Sequence, residues 1–135
     1  MAVQFLDTNI LLRHLLQDHP EQSPRCTAFL ASVERREIEV RISDLVVFET
    51  VFVLERTYKK PRGAVRDAVL PLVQLPGVLI PGKRAWPKVF DLYVSGNISF
   101  ADAYHAVLMG QAGIEEIVSF GRDFERVPGV RRLEP

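Results

Sequence analysis

The stretch Val3-Gln4-Phe5-Leu6-Asp7-Thr8-Asn9-Ile10-Leu11-Leu12 decides the fold class of this chain. Its first four residues are mostly apolar and include a β-branched and an aromatic residue, which predicts a short β-strand. Thr8 or Asn9 can cap a helix, and the apolar residues that follow supply a wide buried face. A strand that passes into a helix through Asp7 indicates an α/β fold, with an acid at the carboxyl end of a strand.

The same alternation of strands and helices continues to the end of the chain. After a first helix that ends at His19-Pro20, we predict helices at about 24–36, 44–58, 61–74, 85–94 and 99–109 and strands at about 38–42, 78–80, 114–120 and 127–133. This order predicts a single α/β domain over residues 1–135, with a mostly parallel central sheet flanked by helices.

Length and composition limit the classes of protein to consider. The chain has 135 residues, of which 47% are hydrophobic and 25% charged, as in one soluble globular domain. No apolar run is long enough to span a membrane, and the first residues lack the pattern of a signal peptide. Cys26 is the single cysteine, which excludes an internal disulfide and favours a cytoplasmic protein. Lys plus Arg and Asp plus Glu number 17 each, so net charge indicates no particular partner.

One acid stands inside an apolar helix. Glu49 is the only charged residue between Leu45 and Leu54, and we therefore predict that it is buried. A buried carboxylate without a partner costs several kcal/mol or takes up a proton. The alternative to a functional role is a buried ion pair with an arginine such as Arg13. The apolar content of this helix also predicts a contact with a second copy, and hence a homodimer.

The other acids each have a local explanation as well. Asp7 could cap the first helix, and Asp102 forms a capping-box pattern, S-x-x-D, with Ser99. Asp123 follows the strand predicted at 114–120, where a solvated loop acid is the ordinary interpretation. If the fold brings these carboxylates together with Glu49, they would bind a hard cation such as Mg²⁺, which indicates metal-assisted chemistry on a phosphate ester.

Competing chemistries find little support in the sequence. It contains no G-x-S-x-G, no G-x-x-x-x-G-K, no G-x-G-x-x-G and no paired-cysteine zinc pattern. The three histidines do not form H-E-x-x-H, although His105 lies one turn after Asp102 and could act on a leaving group.

Four blocks in order resemble the PIN-domain ribonucleases, particularly the VapC-type toxins of bacterial toxin–antitoxin pairs. The blocks read FLDTNILL at 5–12, ISDLVVFET at 42–50, FADAYHA at 100–106 and VSFGRDF at 118–124. The resemblance implies a single α/β domain and RNA cleavage that depends on Mg²⁺ or Mn²⁺. It makes Asp7, Glu49 and Asp102 the three principal acids and metal ligands. It also implies an RNA substrate and a cognate antitoxin protein as partners.

The last block departs from the family pattern. Many relatives carry an acid where this chain has Gly121, and Asp123 matches the second acid of that block. Asp123 either substitutes as a fourth catalytic acid, or the fourth site is absent. Two rival hypotheses stay open: a PIN nuclease of RNA maturation or DNA repair, and a non-catalytic module that binds RNA or protein.

Overall fold

A computed structural model describes residues 2–135, which divide into two compact units, one ending at Lys83 and one running from Arg84 to Pro135. Every strand pairing within the described residues is parallel. The predicted α/β class with a mostly parallel arrangement of strands is therefore confirmed. The boundary of one domain over residues 1–135 stays a prediction.

The first unit contains a three-stranded sheet in the order β1-β2-β3. Its elements are β1 (Val3–Phe5), α1 (Thr8–Leu16), α2 (Gln22–Glu34), β2 (Glu39–Arg41), α3 (Asp44–Phe52), α4 (Arg62–Val73) and β3 (Val78–Leu79). Parallel neighbours need long crossovers, and two helices lie in the chain between each pair of strands. Val40 of β2 is opposite both Gln4 and Val78, so β2 is the central strand. The carboxyl ends of β1 and β2 therefore lie at one edge of this sheet, where Asp7 and the start of α3 follow.

The start of α3 is fixed by local hydrogen bonds that the sequence predicts. Ser43 Oγ accepts from the backbone N–H of Val46 at 3.4 Å, and Asp44 Oδ1 accepts from the N–H of Leu45 at 2.9 Å. The predicted helix to residue 58 has the right extent, but its last turn, Val53–Thr57, is π-helical. Such turns insert an extra residue into a helix and occur frequently at functional sites.

The second unit contains a two-stranded parallel sheet and two helices. Its main elements are α5 (Trp86–Ser95), α6 (Phe100–Ala112), β4 (Glu116–Val118) and β5 (Arg131–Leu133). The rings of Phe90 and Tyr93 on α5 lie 4.9 Å and 5.3 Å from the ring of Phe100 on α6, which builds an aromatic core between the two helices. Gly113 ends α6 with a φ of 69°, a left-handed conformation that glycine adopts without strain.

Across residues 2–135, no helix is both long enough and apolar enough to span a membrane.

Candidate active-site acids

Asp7 occupies the N-cap position of α1, but its side chain does not cap the helix. The backbone carbonyl of Asp7 accepts from the N–H of Ile10 at 3.1 Å, whereas the carboxylate makes no capping hydrogen bond. The side chain is exposed. The interpretation of Asp7 as a side-chain cap is therefore wrong, and both carboxylate oxygens are available to a ligand.

Glu49 is exposed, so the prediction that it is buried is wrong. The buried stripe of α3 is formed by Val46, Val47, Thr50 and Val51. Glu49 lies on the other side of the helix, one turn from Leu45 and from Phe52, which are 62% and 61% exposed. Because this helix is apolar on both sides, its sequence carries no polar stripe that would mark the solvent-facing side.

Arg13 does not pair with Glu49, contrary to the ion pair considered above. Its Nη1 lies 3.2 Å and 3.1 Å from the two carboxylate oxygens of Asp18, and its Nε donates to Gln22 Oε1 at 3.1 Å. Within the part of the chain that the structure describes, Glu49 has neither a hydrogen bond from its side chain nor an ion pair. Its charge is open to solvent or to a bound cation.

Asp102 lies in the first turn of α6, as the sequence predicts. Ser99 Oγ accepts from the backbone N–H of Asp102 at 3.1 Å, which confirms the Ser99 half of the capping box. The half-buried carboxylate of Asp102 has no protein partner among residues 2–135. The free backbone N–H groups of a first helical turn favour anions, so the local field suits a negatively charged group bound here.

Asp123 has a different environment from the other acids. It lies in the short 3₁₀-helical segment Arg122–Arg126, is half-buried and forms an ion pair with Arg126 at 3.5 Å. Arg126 also donates to the backbone carbonyl of Asn97 at 3.0 Å, which holds the guanidinium in place. The carboxylate of Asp123 is therefore already compensated by a positive charge.

His105, which the sequence suggested could act on a leaving group, is exposed, with its ring 6.0 Å from that of Tyr104.

The donor set fits a hard divalent cation in its chemistry. Asp7, Glu49 and Asp102 offer carboxylate oxygens that make no hydrogen bond or ion pair with the rest of residues 2–135, and such oxygens are the ligands that Mg²⁺ and Mn²⁺ prefer. Asp7 and Glu49 belong to the first unit, and Asp102 and Asp123 to the second. Neither unit, over the residues described, brings three His, Cys, Asp or Glu side chains together as a metal-binding group. The convergence of the four acids stays a prediction.

Comparison with known proteins identifies the family. The model of the PIN domain matches residues 5–130, a range that contains all four acids and all four sequence blocks. The chain belongs to the PIN-domain family. It is also 26% identical over 133 residues to a VapC ribonuclease of Aquifex aeolicus (strain VF5), a similarity that covers 98% of this chain and 97% of that protein. The predicted resemblance to PIN-domain proteins is confirmed.

The first unit of this PIN-domain chain contains a cleft of about 560 Å³ beside Asp7. It is lined by the end of β1 and by α1 and α2, with side chains that include Phe5, Arg13 and Arg25. The sequence did not single out Arg25, because nothing in the pattern of α2 indicates which of its polar residues lines this cleft.

Proposed function

We propose that this PIN-domain protein is a metal-dependent endoribonuclease that hydrolyses RNA phosphodiester bonds as the toxin of a toxin–antitoxin pair. The observation that carries the proposal is that Asp7, Glu49 and Asp102 lie within the range that the PIN model matches and present uncompensated carboxylates within the described residues. Similarity to a VapC ribonuclease along nearly the whole chain supports RNA as the substrate. The cytoplasm is the compartment that we propose, in accord with the single cysteine.

The three acids have distinct roles in this mechanism. Asp7 and Asp102 would supply the principal ligand oxygens for Mg²⁺ or Mn²⁺. Glu49 would ligate through water or orient the attacking water, which its exposed position on α3 permits. When bound, the divalent ion lowers the pKa of water and stabilises negative charge on the phosphoryl oxygens. Asp123 is the conditional fourth acid, since Arg126 already compensates its charge.

Cleavage of RNA by purified protein in Mg²⁺ or Mn²⁺ tests the catalytic assignment. Asp7→Asn, Glu49→Gln and Asp102→Asn are each expected to lower the rate by at least about 100-fold, because even groups that only support a metal ligand contribute about 10- to 100-fold. Asp67→Asn is the matched control, since Asp67 is an exposed acid that pairs with Arg66 at 3.0 Å. Undiminished cleavage by the Asp7 and Asp102 variants would contradict the assignment, and calorimetry with Mn²⁺ reports metal binding separately.

The proposed antitoxin fits the exposed side of α3. Leu45 and Phe52 flank Glu49 on that side, so an apolar helix of the partner can cover them while a basic side chain reaches the carboxylate.

A growth assay in cells that express the protein distinguishes a toxin from a PIN nuclease of RNA maturation or repair. The toxin is expected to arrest growth, with relief by a small protein encoded next to it. Growth that is unaffected by an active enzyme would favour the processing role.

A further inference from the structure

The cleft beside Asp7 holds two arginines in different electrostatic states. Arg13 is bound by both carboxylate oxygens of Asp18 and by Gln22, so its charge is largely neutralised. Arg25 on α2 is exposed, and its guanidinium has no hydrogen bond or ion pair within residues 2–135. Arg25 is therefore the cation of this cleft that is available to an anionic ligand.

An aromatic ring lies in the same cleft. Phe5, the last residue of β1, is 66% exposed and lines the cleft with Asp7 and Arg25. Surfaces that bind single-stranded nucleic acid combine cations along the backbone with exposed rings on which bases stack. The cleft thus contains a cation unpaired among the described residues, an exposed aromatic ring and Asp7, the acid that we assign to catalysis.

We propose that Arg25 is a positioning residue that binds a phosphate of single-stranded RNA next to the phosphate at Asp7. This inference rests on the function proposed above. An RNA strand that approaches Asp7 brings a negative charge at every nucleotide, and the carboxylate repels it. An uncompensated guanidinium in the same cleft offsets that repulsion and can hold two phosphate oxygens at once. Arg25 would therefore act on RNA affinity and on the register of the strand.

Binding of a short fluorescent single-stranded RNA, measured by anisotropy, tests this role. The measurements use Asp7→Asn protein, so that the RNA is not consumed, and compare it with Asp7→Asn combined with Arg25→Gln, Arg25→Lys or Arg35→Gln. Arg35 is the matched control because it is the C-cap residue of α2 and is also exposed, but pairs with Glu37 at 2.8 Å. Arg25 has no protein partner in the described residues, so thermal unfolding of its variants is expected to be unchanged.

Arg25→Gln is expected to raise the Kd for RNA about 10-fold, the effect of losing a charge-assisted hydrogen bond. It should also reduce the slope of log K against log salt by about 0.7, since one phosphate contact on a single strand is lost. Arg25→Lys should keep the salt slope and lose only part of the affinity, and Arg35→Gln should change the Kd less than about 2-fold.

Two outcomes keep this inference separate from the proposed function. If Arg25→Gln and Arg35→Gln have the same Kd and salt slope, Arg25 does not bind phosphate, whereas metal-dependent cleavage that Asp7→Asn abolishes would still support the nuclease. If the wild-type protein does not cleave RNA, the proposed function fails, and a Kd and salt slope that depend on Arg25 would still show a phosphate contact.

Discussion

At the scale of single residues, the acids differ in what compensates their charge. The carboxylates of Asp7, Glu49 and Asp102 have no hydrogen-bond or ion-pair partner within the described residues, whereas that of Asp123 pairs with Arg126. A carboxylate without a partner repels its acidic neighbours and gains most from a cation, while a paired one has already gained part of that stabilisation. The family blocks already set Asp123 apart because Gly121 interrupts its block, and the ion pair with Arg126 adds a physical difference from the other three acids.

Asp123→Asn is expected to reduce RNA cleavage less than about 10-fold, a smaller loss than that of Asp102→Asn in the same unit. The reason is that the Asp123 carboxylate is held by Arg126, while that of Asp102 is uncompensated among residues 2–135. The test compares the RNA cleavage rates of the Asp123→Asn and Asp102→Asn proteins at saturating Mn²⁺. Equal losses in the two variants would make Asp123 a full member of the site, substituting for the acid absent at Gly121.

Gly77 is a residue where close packing excludes a side chain. A Cβ built there would lie 2.5 Å from the carbonyl oxygens of both Ile38 and Val33. The N–H of Gly77 donates to the carbonyl of Val33 in α2, and the carbonyl of Gly77 accepts from the N–H of Val40 in β2. These hydrogen bonds hold the backbone at residue 77, so it cannot easily shift to make room for a side chain. Gly77→Ala is therefore expected to lower the free energy of unfolding by about 1–3 kcal/mol, measured by urea titration.

Gly110→Ala is the matched control for Gly77→Ala. Gly110 lies within α6, and a Cβ there would have no neighbour within 4 Å. Alanine should stabilise the helix by about 0.5–1 kcal/mol, because it restricts the unfolded chain. A Gly77→Ala protein as stable as the wild type would show that the backbone around residue 77 relaxes without cost.

At the scale of elements, side-chain contacts of Arg13 and His14 tie the first two helices together. His14 Nδ1 on α1 lies 2.8 Å from Thr27 Oγ1 on α2. Burial lowers the pKa of His14 below its ordinary value of 6.5, because the charged ring loses solvation in the folded chain. The folded state therefore favours neutral His14, and the unfolded chain takes up a proton first as the pH falls.

This difference predicts the direction of a pH effect on stability. The contribution of His14 is present above pH 6.5 and is lost as the pH falls through the lowered pKa of the folded state. The free energy of unfolding of the wild type should thus fall more than that of His14→Gln between about pH 8 and about pH 5.5. Glutamine can still bond to Thr27 but does not titrate, so parallel pH profiles for the two proteins would contradict the expectation.

At the scale of the whole molecule, the exposed apolar side of α3 bears on assembly. Leu45 and Phe52 are more than half exposed, and the guanidinium of Arg56 lies 5.5 Å from the ring centre of Phe52. Exposed apolar side chains grouped on one helix face favour association. The predicted homodimer stays a prediction, and a dimer that used this face would cover Glu49.

Phe52→Lys is expected to shift the protein from dimer to monomer in sedimentation velocity, because it places a charge in the apolar contact. Phe120→Lys is the control, since Phe120 is an exposed ring of the second unit, 73% accessible. If Phe52 lies in the dimer contact, cleavage per molecule should also fall as the wild-type concentration rises. A wild-type protein that is monomeric at all concentrations would rule out the dimer.

The sequence predicted features that depend on short-range physics. The strand before Asp7, the caps at Ser43 and Ser99 and the parallel class of the sheets follow from apolar periodicity and from capping groups within a turn of their partners. The helix from residue 44 was also placed correctly, but the sequence did not predict that its final turn, Val53–Thr57, is π-helical.

By itself, the sequence determined the α/β class, the order of the elements and the four blocks that identify a PIN domain, because these are set by local pattern and chain order. Only the tertiary structure decided that Glu49 is exposed to solvent, that Arg13 forms an ion pair with Asp18 and that Arg25 lines the cleft beside Asp7 without an ion pair in the described part of the chain. The physical reason is that burial and ion pairing depend on which distant segments pack together. An apolar helix such as α3 carries no pattern that shows which of its sides will be covered.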